Sequence, residues 1–248
     1  MGRLLRGLRI WRAVLTLLLF LWWDSQAWTY RTGLTPDRRA ARQLLRARWL
    51  TAELLRLGSA FIKLGQLLSA RPDILPAGWV AELASLQDSV PAFPFEQVQS
   101  VLEEELGPRC AEVIDLDPVP LGAASLAQVH RASLRSGRQV VLKIQRPGLD
   151  TLFRLDLEVM QQVAAVLQRH PSWGRGRDWP AMARECRRVL LRELDFRVEA
   201  QYAARFRQQF LDDERIRIPA VVWEQSTRRV LSSQITPGIR MRSSSRNC

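Results

Sequence analysis

Lys143 lies within Gln139-Val-Val-Leu-Lys-Ile-Gln145, a β-branched run that reads as a strand. A turn, Arg135-Ser-Gly-Arg138, precedes it, and the weakly alternating Leu126–Ala132 comes before that turn. The two runs and the turn make a hairpin. Upstream of the hairpin is Leu121-Gly-Ala-Ala-Ser125, a loop of small residues. Small side chains let a backbone approach phosphate oxygens closely, and an ammonium on the neighbouring strand gives them a compact charge. Such a lysine needs an acidic partner to hold it. Glu193, Asp195 and Glu199 follow on a segment that reads as one long helix over about 180–211, where Asp195 and Glu199 are spaced i, i+4 on a shared face. Taken singly, these features are also those of an ordinary hairpin and a solvated helix face.

Composition draws attention to a second residue. Of the 37 basic side chains, 35 are Arg, and the two lysines are Lys63 and Lys143. In so Arg-rich a chain, a retained lysine points to a place where a guanidinium does not serve. Lys63 falls in Phe61-Ile-Lys-Leu-Gly-Gln66, inside a helical run from Ala60 to Ala70.

The elements that must position these residues are helical first and mixed later. Thr35-Pro36-Asp37 has the form of a helix start, followed by apolar positions from Leu44 to Leu57. Gly58 breaks that helix before the run bearing Lys63. Short helices are expected over 78–86 and 96–106, the second stopped by Gly107-Pro108. After the hairpin, helical periodicity returns from Leu152 to Leu167. Ile216–Trp223 and Arg229–Leu231 read as strands. The expected organisation is a basic, apolar segment at 1–34, a helical region at 35–108, a small antiparallel sheet with helices at 109–238, and a disordered tail at 239–248.

In that order along the chain, Phe61–Gln66, Leu67-Leu-Ser-Ala-Arg-Pro-Asp73, Ala124-Ser-Leu-Ala-Gln-Val-His130, Val141-Leu-Lys-Ile-Gln-Arg-Pro-Gly148 and Glu193-Leu-Asp-Phe-Arg-Val-Glu199 closely resemble the AarF/UbiB family of atypical protein-kinase-like proteins. The resemblance runs from about residue 35 to 231. It implies an α+β fold: a protein-kinase-like N-lobe, a small antiparallel sheet plus helices, preceded by a helical N-terminal extension. Lys63, Gly65 and Gln66 would form the KxGQ motif on a helix folded over the nucleotide site. Ala123, Ala124 and Ser125 would belong to the alanine-rich loop that replaces a glycine-rich one, with Gly122 where the family often has alanine. Lys143 would contact the α- and β-phosphates and pair with Glu199. Glu193 and Asp195 would be the ExD pair facing Lys63. The implied cofactor is ATP or ADP with Mg²⁺. The implied setting is prenyl-quinone synthesis at membranes, with membrane lipid or isoprenoid quinone precursors as partners.

The same resemblance sets an expectation of incompleteness. Phosphoryl transfer in a kinase-like fold uses a catalytic-loop Asp and Asn and a metal-binding Asp beyond the hinge. No Asp follows Asp213, and Ser232–Gly238 departs from the family's run. A chain that stops near the hinge is expected to be inactive alone, with no catalytic residue and no complete metal site of its own, and to need a separate C-lobe chain. The alternative is a non-catalytic nucleotide- or isoprenoid-lipid-binding membrane module.

Charge is distributed unevenly. The net charge is +12, of which +8 lies in residues 1–48 and +6 in 215–248, leaving the middle near neutral. That distribution argues against nucleic acid as the partner. Within the first segment, Ala13–Trp23 is an uncharged run of eleven residues. As a helix it would span about 16 Å, roughly half a ~30 Å hydrocarbon core. A cleaved signal peptide with Ser25-Gln-Ala27 as its small-x-small site, a helix lying on a membrane surface, and a buried helix of a soluble protein all fit the run. The Trp residues and the arginines at positions 3, 6, 9 and 12 favour the surface helix, on the cytoplasmic side. Cys110, Cys186 and Cys248 are widely spaced and odd in number, which fits neither a disulfide framework nor a zinc site.

Overall fold

The computed structural model describes residues 2–26, 35–73, 75–86, 91–171 and 174–235. The expected tail at 239–248, Ala27 of the small-x-small site and residues 28–34 of the first segment lie outside these. In chain order the elements are α1 (Arg3–Ser25), α2 (Pro36–Leu57), α3 (Ser59–Ser69), α4 (Ala77–Ala84), α5 (Phe95–Leu106), β1 (Val113–Ile114), β2 (Gly122–Ala123), β3 (Ala127–Leu134), β4 (Gln139–Gln145), α6 (Leu149–Arg169), α7 (Trp179–Arg192), α8 (Phe196–Gln209) and β5 (Val230–Gln234). This is the expected α+β class with an antiparallel sheet. Two compact units are built from interleaved segments of the chain. One holds Met1–Ala92, Ala123–Leu126 and Arg146–Leu194; the other holds Phe93–Gly122, Ala127–Gln145 and Asp195–Cys248.

The helical unit packs α1, α2, α3, α4, α6 and α7 around one apolar core that includes Ile10, Leu54, Phe61, Leu83, Phe153 and Leu190. Its most constrained polar group is Asp156 of α6, whose side chain is wholly buried. Arg6 of α1 meets it with two parallel bonds, Nε to Oδ1 at 2.8 Å and Nη2 to Oδ2 at 2.7 Å, and Nη2 also donates to the carbonyl of Leu57 at the end of α2. The every-third-residue arginines therefore divide: Arg6 turns inward while Arg3, Arg9 and Arg12 stay exposed. The far end of α1 is fixed by Asp24, which takes two bonds from Arg46 of α2 at 2.9 and 3.1 Å. Gly58 joins α2 to α3 at φ 89°, ψ −160°, a conformation open almost only to glycine. Thus α1 is a packed helix on one face. Its other face leaves Leu4, Leu5, Leu8, Leu15, Leu19, Trp22 and Trp23 exposed. No described helix is long and apolar enough to cross a membrane.

In the sheet unit, the strand order is β1-β3-β4-β5, with β2 pairing β3. All pairs assigned along that order are antiparallel, and the β3–β4 hairpin runs from Ala127 opposite Gln145 to Ser133 opposite Gln139. Its turn needs Gly137, at φ 80°. Alternation in β4 places Val140, Leu142 and Ile144 against α5, whose Val98, Val101, Leu102 and Leu106 cover that face of the sheet. Lys143 is thereby on the opposite face.

Two expectations are corrected. The long helix over 180–211 is two helices: α7 ends at Arg192 and α8 begins at Phe196, because Asp195 leaves helical geometry to cap α8, its Oδ1 accepting from the Arg197 amide at 3.1 Å. Asp195 and Glu199 thus share no helix face. The strand over 216–223 is irregular chain that makes a single bridge, Val221 to Ser233; Pro219 in its middle removes a ladder donor. Ser232–Gln234, read as a departure from the family's run, extend β5.

Burial without sufficient compensation pushes the Asp156 carboxyl up from its ordinary value, despite Arg6. Arg6→Ala leaves this carboxylate unpaired and should cost about 3–5 kcal/mol in urea unfolding near neutral pH. The cost is present while Asp156 is ionised in the folded variant. It shrinks as pH falls through the raised folded-state value, because the folded state then takes up a proton that the unfolded state does not. A deficit that stays constant between about pH 8 and about pH 5 would contradict this account.

Candidate functional site

The sheet unit brings one predicted pair together. Lys143 Nζ on β4 lies 2.8 and 2.7 Å from the two carboxylate oxygens of Glu199, in the first turn of α8. The ammonium also sits 4.8 Å from the centre of the Phe196 ring. Phe196 is buried with Ala127, Ala200 and Leu231, and its amide donates to the carbonyl of Arg228. Those contacts seat the start of α8 on the sheet and so fix where Glu199 points. The pair remains about a third to a half exposed. Its value to stability is accordingly small, ~1 kcal/mol at most, so its geometry suits a ligand better than the fold. Sequence reasoning missed Phe196; the signal was an aromatic residue directly after the acidic pair.

Asp195 is placed at the N-cap of α8 and bridged by Arg197 at 2.7 Å, whose guanidinium holds the carboxyl below its ordinary value. Glu193 is the exposed residue that closes α7, in the helical unit.

Within the helical unit, the KxGQ residues all lie on α3. Gly65 is a packing residue. A methyl at its position would collide with Leu86 and come within 2.9 Å of Leu54. Gln66 donates to the Leu86 carbonyl at 3.1 Å. Gly and Gln together therefore lock α3 against the end of α4, leaving Lys63 half-buried on the same helix. Immediately after α3, Arg71 and Asp73 form a bidentate pair.

The loop residues Ala123–Ser125 belong to this unit too. Ser125 is fully buried, and its carbonyl accepts from Ser59 Oγ, at the first residue of α3, at 2.8 Å. The alanine-rich loop and the KxGQ helix are thus joined by a direct hydrogen bond, which the sequence did not reveal; a serine opening a helix after a glycine was its only trace. Gly122 has open space around its Cα and no positive φ, so an alanine fits there equally well. Among the described residues no group of three or more His, Cys, Asp or Glu side chains is placed to hold a metal ion.

A family model described as the ABC1 atypical kinase-like domain matches residues 85–246. The chain belongs to this family. Among its relatives are an uncharacterised protein of Synechocystis, 44% identical over 95% of this chain and 40% of its own length, and Protein ACTIVITY OF BC1 COMPLEX KINASE 8, chloroplastic, of Arabidopsis thaliana, 42% identical over 95% of this chain and 31% of its own. A probable protein kinase UbiB of Marinobacter nauticus is 36% identical over 79% of this chain and 36% of its own. The chain therefore spans less than half the length of these curated relatives. A Mycobacterium tuberculosis protein solved in complex with erythromycin superposes with a TM-score of 0.56 at 30% identity, covering 84% of this chain and 52% of that one. The ABC1 match and the UbiB relative agree with the AarF/UbiB resemblance carried by the motifs.

In this ABC1 chain, Gly65→Ala should destabilise by about 1–3 kcal/mol, through overpacking against Leu54 and Leu86. Gly122→Ala should stay within about 0.5 kcal/mol of wild type. Thermal or urea unfolding of the two variants side by side checks both; equal losses would show that Gly65 is not held by packing.

Proposed function

We propose that this chain is the nucleotide-binding part of an ABC1/UbiB-type kinase-like ATPase acting at a membrane surface in prenyl-quinone metabolism, and that alone it binds nucleotide without turning it over. The observation carrying this reading is the Lys143–Glu199 pair, an oriented, partly exposed ammonium on the strand following a small-residue loop. Glu199 and the Phe196 ring fix the ammonium, which leaves it free to meet phosphate oxygens as a preorganised point charge. By the family resemblance, Ala123, Ala124 and Ser125 would offer backbone to phosphate oxygens. ATP or ADP is the expected ligand. Lys143 supplies a compact charge of the kind its phosphates need; no step of turnover is assigned to this chain. Lys63, Glu193 and Asp195 would act in regulation, with Gly65 and Gln66 holding the helix that carries Lys63. Catalytic and metal-binding residues additional to those of the described region would be required for activity.

The membrane part of the reading rests on α1. Its outer face carries Leu4, Leu8, Leu15 and Leu19, each more than half exposed, with Arg3 and Arg9 on the solvent side. An amphipathic helix of this kind lies in the headgroup region rather than across the bilayer.

A fluorescent ATP analogue should bind weakly, and Lys143→Ala should abolish that binding without loss of fold. Mg²⁺-dependent ATP hydrolysis by this chain, lost in Lys143→Ala, would overturn the claim that it does not turn over. Separately, replacing Leu8, Leu15 and Leu19 with Ser should prevent co-sedimentation with phosphatidylglycerol vesicles while leaving the circular dichroism spectrum unchanged; undiminished sedimentation would remove the membrane reading.

A further inference from the structure

The helical unit encloses a half-open apolar cavity of about 270 Å³. Every long helix of that unit contributes to its wall: Ile10 and Val14 from α1, Leu54 from α2, Phe61 from α3, Val163 from α6 and Ala183 from α7. The lining includes one charged side chain, Glu53, which is 4% exposed. Its carboxylate is held by Arg12 and Arg56, both at 3.2 Å. Those two guanidinium groups are 71% and 72% exposed. The Glu53 end of the cavity therefore faces solvent and carries two positive charges against one negative.

The geometry points to a binding site for the hydrocarbon chain of an anionic amphiphile, with the chain among the helices and the acidic head at Arg12 and Arg56. Three observations select this occupant. Apart from Glu53 at one end the wall is apolar, which favours hydrocarbon over a nucleotide. The volume lies just under the ~300–1,000 Å³ of typical small-molecule sites, which suits one linear chain and is too small for a whole two-chain lipid. The rim is net positive, so an anionic head is favoured over a cationic one. The inner face of α1 is one wall, while its outer face bears the exposed leucines, so a lipid lying at the membrane surface would be within one helix diameter of the site. The inference deepens the membrane part of the function proposed above and rests on it only for the source of the ligand.

Cys186 of α7 lines the cavity and serves as a reporter. Burial and the neighbouring Glu185 push its thiol up, so alkylation is best followed at about pH 8.5. The rate of N-ethylmaleimide addition at Cys186, read by peptide mass spectrometry on the full chain, should fall about tenfold with dodecyl phosphate at ten times its Kd. Cys110, in the sheet unit, is the internal control and should react unchanged. Hexyl phosphate and dodecyltrimethylammonium should protect far less, and Ala183→Phe, which fills the cavity, should remove protection. Should that variant fail to fold, the chain-length and head-charge series decides the matter in wild type. Unchanged labelling of Cys186 with dodecyl phosphate, or equal protection by the cationic amphiphile, would overturn the proposal. A parallel arm with phosphatidylglycerol vesicles separates the sources: protection there identifies a membrane lipid, protection by dodecyl phosphate alone a free amphiphile, and either supports the site. Loss of vesicle binding with Cys186 still protected would sink the membrane reading alone; vesicle binding with no protection from either vesicles or dodecyl phosphate would sink the cavity alone.

Discussion

A buried carboxylate must be matched, and in the helical unit that requirement falls on Arg6. Asp156 has no exposure, and leaving it unpaired would cost several kcal/mol. Arg6 satisfies both its oxygens and a carbonyl at the end of α2 in one planar fork. A bidentate bond of this kind fixes rotation as well as position. Once Arg6 points inward, the 100° step of the helix puts Ile10, Ala13 and Val14 inward and Leu4, Leu8, Leu15 and Leu19 outward. Both the cavity wall and the exposed apolar face of α1 follow from that one setting. Replacing a buried ion pair with well-packed apolar residues often preserves stability, yet here it would remove the feature that tells α1 which face to bury.

The sheet unit shows the same logic at a smaller scale. Lys143 can meet Glu199 because α8 starts where it does, and α8 starts there because Asp195 caps it. Had α7 run on unbroken, the carboxylates would have followed one continuous helical phase, and Phe196 could not have turned its amide to the Arg228 carbonyl. Asp195 therefore has a structural use that does not depend on any ligand, and its charge is maintained by Arg197.

How much of this could be read in advance follows from what each residue depends on. The β3–β4 hairpin was legible because alternation and a glycine turn are local signals, whereas the pairing of Lys143 with Glu199 was implied by the family resemblance. The α7–α8 break was not: the apolar spacing of Leu190, Leu194 and Val198 is compatible with one helix, and only a side chain bonding its neighbour's amide ends it. The irregular 216–223 segment misled for a similar reason, since Ile and Val supply strand propensity while Pro219 withholds the hydrogen bond. In the KxGQ motif, the resemblance singled out Gly65 and Gln66 without giving a physical reason for their place in the fold. What the fold shows at Gly65 is tertiary, a close approach to Leu54 and Leu86 that no spacing along α3 could disclose.

The positive charge that dominates the composition takes on a different meaning in the folded chain. A polyanion-binding surface needs basic groups that face solvent together and lack acidic partners. In the N-terminal region, Arg6 is taken by Asp156, Arg12 by Glu53, Arg42 and Arg46 by Asp24, and Arg48 by Glu82. Each of these acids lies on a different helix from the arginine it meets, so the excess of Arg works largely as a set of interhelical clamps. Two of the clamps tie α1 to α2, one ties α1 to α6, and one ties α2 to α4. At the mouth of the apolar cavity, the two guanidinium groups paired with Glu53 still keep most of their surface in solvent. A short, localised positive rim beside a hydrocarbon-lined space matches an amphiphile far better than a nucleic acid, and it arises because the helices needed their arginines first for one another.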